Sequence, residues 1–471
     1  MTASPNNEFV DQTTDSVLGT DAIRARLDIR WARGRALAAR PQVFLPGERA
    51  SWEREIARLE AVERWLDAAD EEALGTAFDQ LPEMNRPIAT LEAGEPLDEV
   101  ALFEVKRFLY WGSTILESVG TSLDFVGPHW ASQLRDVMRT LHPEKTPSPR
   151  FHLSAELDGR LAAARDAIRK LRKAEKKLRE ACETAIIAQF GGRFDVRGRY
   201  NPSPDTETAH LAADVRLAFN GARWDLCDDE LRALQDEVDH ANQAMWAIEA
   251  DLMARLSDAL RPRVDWLTEV CDALAELDVR IAKVDLRRAW DGVWGTWLTE
   301  GPAELVDGRL PRFLEVLDPA EVQPISLAID DHPVIVTGPN MGGKSALLEL
   351  FGSALWCAQH AYPIPAREFR FHPVSSIVYV GAEEPHATGA TGLSAFGREV
   401  RRLVDAWEGT PPRLWLLDEL GRGTHPDEGA SIAIHVIRAR VHAGDHVVAA
   451  THFPAVAALS DASHFRIAGL D

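Results

Sequence analysis

The chain has 471 residues, of which 45% are hydrophobic and 27% charged, a composition that excludes wholesale disorder. Its 74 Asp and Glu against 52 Lys and Arg give a formal net charge of −22, which argues against coating nucleic acid by bulk charge but leaves room for a local basic groove. The length predicts two to four domains with ample core, and no apolar run is long enough for a membrane-spanning helix.

Residues 1–20 are polar and acidic, without the apolar stretch of a secretory signal, and read as a flexible tail on a cytoplasmic protein. Residues 21–150 read as a helical core. In SWEREIARLEAVERWLDAAD, Ile56, Leu59, Val62 and Leu66 form one apolar stripe, and Ser51 with Glu53 and Glu55 reads as the capped, negatively charged start. LDEVALFEVKRFLYWGSTILESV reads as a second helix, and HPEKTPSPR at 142–150 as a linker or turn.

Residues 151–300 read as long lever helices with a reduced clamp between them. One helix is expected over 153–180, with Ile168, Leu171 and Leu178 in a heptad-like seam. Its basic stretch holds Arg165, Arg169, Lys170, Arg172, Lys173, Lys176, Lys177 and Arg179, interspersed with Asp166, Glu175 and Glu180. Two readings of it stand: a surface for nucleic-acid phosphates, or a solvated coiled-coil face. A Gly- and Pro-rich loop or hairpin region follows. From 229, Leu231, Leu234, Val238, Ala241, Met245, Ile248, Leu252 and Leu256 continue a second seam, broken near Pro262 before helix resumes to about 290. A lever arm and a plain helical bundle both fit. Cys182, Cys227, Cys271 and Cys357 form no CxxC pair, so neither a zinc site nor a disulfide framework is expected.

Residues 301–471 change character. The β-rich runs PVIVT, SSIVYV, RLWLLDEL and DHVVAAT alternate with helical stretches, which predicts an α/β domain with a mainly parallel sheet. Gly338-Pro339-Asn340-Met341-Gly342-Gly343-Lys344-Ser345 matches GxxxxGK[ST] between a strand and an apolar helix, the context of a phosphate-binding loop. There, backbone N–H groups and a helix N-terminus face the phosphates, Lys344 reaches the β- and γ-phosphates, and Ser345 ligates Mg²⁺. A second apolar strand ends in Asp418, a candidate Mg²⁺ ligand, and Glu419, a candidate for orienting the attacking water. A third ends in His452, a candidate for sensing the γ-phosphate or positioning that water.

GPNMGGKS, LLDELGRGT and ATH, in this order, resemble the MutS family of ABC-type P-loop ATPases. Ile364-Pro365-Ala366, Val380-Gly381-Ala382 and Gly392-Leu393-Ser394-Ala395-Phe396 with Glu399 are similar to segments between those motifs. Upstream, Leu274–Asp278 and Gly308-Arg309 also fit. The resemblance implies a composite ATP site. One subunit supplies Lys344, Ser345, Asp418, Glu419 and His452, and the partner supplies Ser394 to the γ-phosphate. The partner is a second copy or a related subunit, and closure of the pair on ATP moves the helical arms.

The chain departs from the family pattern in several places. Ala346 stands where a second hydroxyl is usual, His425–Gly429 replaces a serine- and threonine-rich stretch, and no aromatic near Ala320 is placed to stack on adenine. The one Phe-x-Glu match, Phe313-Leu314-Glu315, lies beside the ATPase domain, and nothing before residue 150 resembles a mismatch-reading domain. Only 19 residues follow His452, too few for the family's C-terminal dimerisation helices. The resemblance implies an ATPase acting on DNA in a mismatch-repair-like role without a mismatch reader of its own, while the missing DNA-reading parts and the net charge of −22 favour a second reading. The alternative is a protein-remodelling ATPase such as a reactivating factor for an adenosylcobalamin-dependent aminomutase, with a protein client. A nucleotide-dependent scaffold without turnover is the weaker third expectation, against which Glu419 and His452 speak.

Overall fold

The computed structural model describes residues 9–141, 153, 157–204, 206–214, 216–221, 223–318, 321–339, 342–381 and 395–467. Two compact units emerge. One gathers 1–79, 118–128 and 271–471; the other, 80–117 and 129–270.

The first unit begins with α1 (Gln12–Leu18), α2 (Thr20–Ala25), α3 (Ala32–Ala38), α4 (Arg49–Leu66) and α5 (Glu71–Asp79). The expected tail is thus ordered from residue 9. Asp11 caps α1 by accepting from the Thr14 N–H, and Val10 bridges to Ile377 of a strand. Backbone hydrogen bonding fixes this segment, which an apolar pattern does not report. In α4 the buried face is Trp52, Leu59, Val62, Trp65 and Leu66, with Ile56 only partly buried. The helix starts two residues before Ser51, with Glu48 at the N-cap and no side-chain cap bond, so Ser51 is not its cap.

Most of the second unit is helical, with α6 (Asn85–Glu92), α7 (Glu99–Val119), α8 (Trp130–Leu141) and α9 (Gly159–Phe190). Helix α9 begins where Asp158 accepts from the Arg160 N–H and runs ten residues beyond the expected end at 180. Its seam is Leu161, Ile168, Cys182 and Ile186, with Leu171 and Leu178 partly buried. After it come β1 (Arg193–Phe194), β2 (Arg199–Asn201), α10 (Thr208–Ala212), β3 (Leu217–Phe219) and β4 (Trp224–Leu226), an antiparallel sheet in the order β1-β2-β4-β3 over a small core of Ile186, Tyr200, Leu211, Leu217 and Trp224. Helix α11 (Asp229–Leu260), capped by Asp228, packs back on α9. Every residue of its expected seam is buried or half-buried. A 3₁₀ turn at Arg261–Arg263 carries Pro262, and α12 (Val264–Ala289) follows. The expected linker 142–150 lies outside the described residues.

The rest belongs to the first unit. Strands β5 (Thr296–Trp297), β6 (Ala303–Gly308), β7 (Ile325–Ile329) and β9 (Glu368–Phe371) form a sheet in the order β5-β9-β6-β7 that the sequence reading did not foresee. Strands β8 (Val334–Thr337), β10 (Ile377–Gly381), β11 (Leu414–Asp418), β12 (His446–Ala450) and β13 (Ser463–Arg466) form a wholly parallel sheet in the order β10-β11-β12-β8-β13. Four of these five are the expected β-rich runs. Helix α13 (Lys344–Gln359) lies against Leu416 through its Gly352. On the opposite face α14 (Ala395–Trp407), α15 (Pro426–His442) and α16 (Pro454–Ala457) cover Ile335, Trp415, Leu417, Val447 and Ala449. Burial on both faces explains why the strands read as unbroken apolar runs. Each large side chain so buried contributes roughly 1.5–3 kcal/mol.

Candidate nucleotide site

The parallel strands end side by side, so the residues that follow them gather at one edge of the sheet. Two backbone bonds tie these ends together: the Glu419 N–H donates to Ala450 O at 3.0 Å, and the Thr451 N–H to Val336 O at 3.0 Å. Gly338 follows β8, Asp418 closes β11, and His452 lies two residues beyond β12. Open α/β sheets bind ligands at this carboxyl end.

Gly343 is the N-cap of α13, with φ +95° and no side-chain cap bond. A left-handed turn there suits glycine, and it leaves the first N–H groups of the helix without a capping side chain, an arrangement that favours an anion. Lys344 is 95% buried, and its Nζ donates to Gly338 O at 3.2 Å and Pro339 O at 3.3 Å. The same Nζ lies 3.4 Å from Glu419 Oε1. Ser345 is exposed on the first turn.

Glu419 has φ +50°, a left-handed conformation rare outside glycine that costs on the order of 1–3 kcal/mol and points to a constrained position. Its Oε2 pairs with Arg422 Nη1 at 3.1 Å, and His452 Nδ1 stands 4.0 Å from that same oxygen. The His452 ring packs on Phe453 at 4.2 Å between centroids. Asp418 is half-buried, and its Oδ2 accepts from the Tyr379 hydroxyl at 3.0 Å. Burial, then the charge of Asp418, pushes the Tyr379 phenol well above the usual tyrosine range, so it remains a donor. Glu399 on α14 accepts from the Gly421 N–H at 3.2 Å, and burial raises its pKa.

Lys344, Glu419 and His452 therefore converge, Asp418 adjoins them along the chain, and Gly338 and Pro339 hold Lys344 through their carbonyls. Gly342 and Gly343 form the turn into α13. Asn340, Met341 and Ser394 lie outside the described residues, as does Ala320. Arg422 was legible inside LLDELGRGT but given no role. Tyr379 lies in the run SSIVYV, where a polar-tipped side chain amid apolar residues is the signal the sequence offers.

No cluster of three or more His, Cys, Asp or Glu suited to a metal occurs among the described residues. Mg²⁺ bound with a nucleotide takes one or two protein oxygens and fills its shell with phosphate oxygens and water. Asp418, with one oxygen already engaged by Tyr379, and the exposed Ser345 hydroxyl are donors of the right chemistry. No helix among the described residues is long and apolar enough to cross a membrane.

A glycine turn at the head of a helix, with lysine, paired carboxylates and histidine, thus gathers at one edge of the parallel sheet of an α/β domain. Residues 334–468 match the family profile of MutS domain V. Over 204 residues the chain is 32% identical to Endonuclease MutS2 of Symbiobacterium thermophilum, a stretch that is 43% of this chain and 25% of that relative. The likeness to the MutS family is thus to this domain, and the chain matches about a quarter of the length of that curated relative.

Proposed function

We propose that the chain is an ATP-binding and ATP-hydrolysing protein of the MutS type that couples its nucleotide cycle to movement of helical arms and acts on DNA in a repair-like role. The observation that carries this reading is the approach of Lys344 Nζ to Glu419 Oε1, 3.4 Å apart, at the carboxyl edge of the sheet beside the N-terminus of α13.

In this reading the 338–345 loop and the first turn of α13 hold the nucleotide phosphates. Lys344 exchanges the Glu419 carboxylate for β- and γ-phosphate oxygens, which releases Glu419 to orient water. Ser345 and Asp418 hold Mg²⁺, which when bound neutralises charge on the phosphate oxygens. His452, close to Glu419 and 41% exposed, faces the same region. Ser394 of a second subunit completes the site from across a homodimer or a heterodimer with a related subunit.

DNA is favoured as the partner by the MutS-type domain and by the relative's name, that of an endonuclease. The basic face of α9 is a candidate contact. Arg165 pairs with Glu249 and Arg179 with Glu175, at 3.1 and 3.0 Å, and Arg169 and Lys176 also have acidic partners. Lys170, Arg172, Lys173 and Lys177 stand exposed without an ion-pair partner among the described residues. Nothing in the matches favours the protein-remodelling alternative.

The test is ATP hydrolysis with and without duplex or branched DNA, combined with sizing in the presence of ATP. DNA should stimulate hydrolysis, DNA binding should weaken steeply with salt, and the particle should grow with ATP. Replacing Lys170, Lys173 and Lys177 with Glu should abolish the stimulation and spare basal turnover. Absence of turnover under every condition would overturn the reading. Turnover indifferent to DNA at low salt would overturn its DNA part.

A further inference from the structure

We propose that Tyr379 is a positioning residue for Asp418, fixing the carboxylate so that its second oxygen faces the metal, and that the N-terminal segment holds Tyr379 in place through Arg402. The inference rests on the nucleotide-site reading above, in which Asp418 faces Mg²⁺.

Strand β10 lies beside β11, with Gly381 paired to Asp418 and Tyr379 to Leu416. The Tyr379 side chain thus passes Gly381 to reach Asp418 Oδ2 at 3.0 Å. A Cβ at position 381 would lie 2.5 Å from the Tyr379 hydroxyl oxygen and 2.8 Å from Asp418 Cβ. Only glycine leaves that path open. A carboxylate with one oxygen held by a phenol loses freedom to rotate and presents the other in a set direction. Ligating carboxylates need this kind of outer support.

The backbone of Tyr379 is clasped on both sides. Its N–H donates to Thr14 Oγ1 at 3.1 Å, and its carbonyl accepts from Arg402 Nε. Arg402 Nη2 in turn donates to both Asp11 oxygens, at 2.8 and 3.1 Å, and to Thr14 Oγ1 at 3.0 Å. Two residues along β10, the Ile377 N–H donates to Phe9 O at 2.9 Å. Thr14 is fully buried. The segment that read as a tail therefore closes a chain of polar contacts ending on the candidate metal ligand.

The test uses the full chain and Mn²⁺ as the probe. Free Mn²⁺ is followed by electron paramagnetic resonance in the presence of a non-hydrolysable ATP analogue, and metal-free binding of the analogue is measured in chelator. Tyr379→Phe removes one hydroxyl from an otherwise isosteric ring. It should weaken Mn²⁺ binding about tenfold and leave metal-free nucleotide affinity unchanged. Thr14→Val should lower Mn²⁺ affinity in the same direction by less, and Asp418→Asn by more. Wild-type Mn²⁺ affinity in a folded Tyr379→Phe protein, with Asp418→Asn impaired, would overturn the positioning role. If Asp418→Asn has no effect while Lys344→Ala abolishes nucleotide binding, Asp418 does not face the metal and the inference fails alone. If the wild type binds neither nucleotide nor Mn²⁺ with nucleotide, the site reading falls and takes this inference with it.

Discussion

The two ends of the parallel sheet both concentrate charge, and they use it in opposite ways. At the amino end, before β11 and β12, Asp445 is fully buried. Its Oδ1 accepts from the Arg413 N–H at 3.0 Å, and its Oδ2 from Arg413 Nη2 at 3.2 Å and Trp415 Nε1 at 2.9 Å, with Arg440 at 3.5 Å. At the carboxyl end, Lys344 and Glu419 are as close, but His452 and Arg422 are exposed and a left-handed Glu419 holds the group together. A carboxylate whose partners are complete is a bolt in the fold. One whose partners stand at 3.1–4.0 Å, two of the three exposed, can exchange them for a ligand. Adjacent acids at a strand end do not by themselves say which of the two is present.

Substitutions at each end should break or sharpen this contrast. Asp445→Ala leaves Arg413 and Arg440 buried without their carboxylate and should destabilise the protein by roughly 3–5 kcal/mol, read as a lowered melting transition, with nucleotide affinity kept in the folded fraction. Glu419→Gln should do the reverse. Turnover falls by about 10²–10³-fold, roughly 2.7–4 kcal/mol of barrier, while melting stays near wild type and ATP is retained.

Glu349 sits between these cases. It lies on α13, 3.1 Å from Arg312, and burial pushes its carboxyl up to about 7. The folded protein therefore keeps a proton that the unfolded chain releases near the ordinary glutamate value. The stabilisation is whole below that value and is lost as pH rises through about 7. Glu349→Gln should flatten this slope, so wild type loses roughly 1–3 kcal/mol relative to the variant between pH 5 and 8, measurable in paired melting curves. The smallest effect belongs to α9. Lys176 and Glu180 are exposed and 3.8 Å apart, and Lys176→Ala should shift stability by less than about 0.5 kcal/mol.

What the sequence made legible was local. The glycine loop, the apolar runs of β8, β10, β11 and β12, and the α11 seam each declare themselves within a few turns or strand lengths. The sheet β5-β9-β6-β7 did not, because its short strands are scattered from 296 to 371 and pair out of chain order. Val10 joins the sheet through backbone groups, so its side chain carries no sign of it. The same holds for the site: Lys344 and Glu419 belong to recognisable strings, whereas Tyr379 matters through Gly381 beside it and Asp418 on the next strand, a relation set by register.

The discontinuous make-up of the first unit bears on how the protein is born. Its residues up to 79 leave the ribosome roughly 190 residues before the stretch that starts at 271. At about 5–20 residues per second that is a wait of roughly 10–40 s. During it Trp31 has no Asp278 to accept its N–H, Phe44 has no Gln359, and the Trp52 indole has no Ala358 carbonyl. The nascent chain thus carries an apolar, half-made face through the synthesis of the whole second unit, and a holding chaperone should find it there.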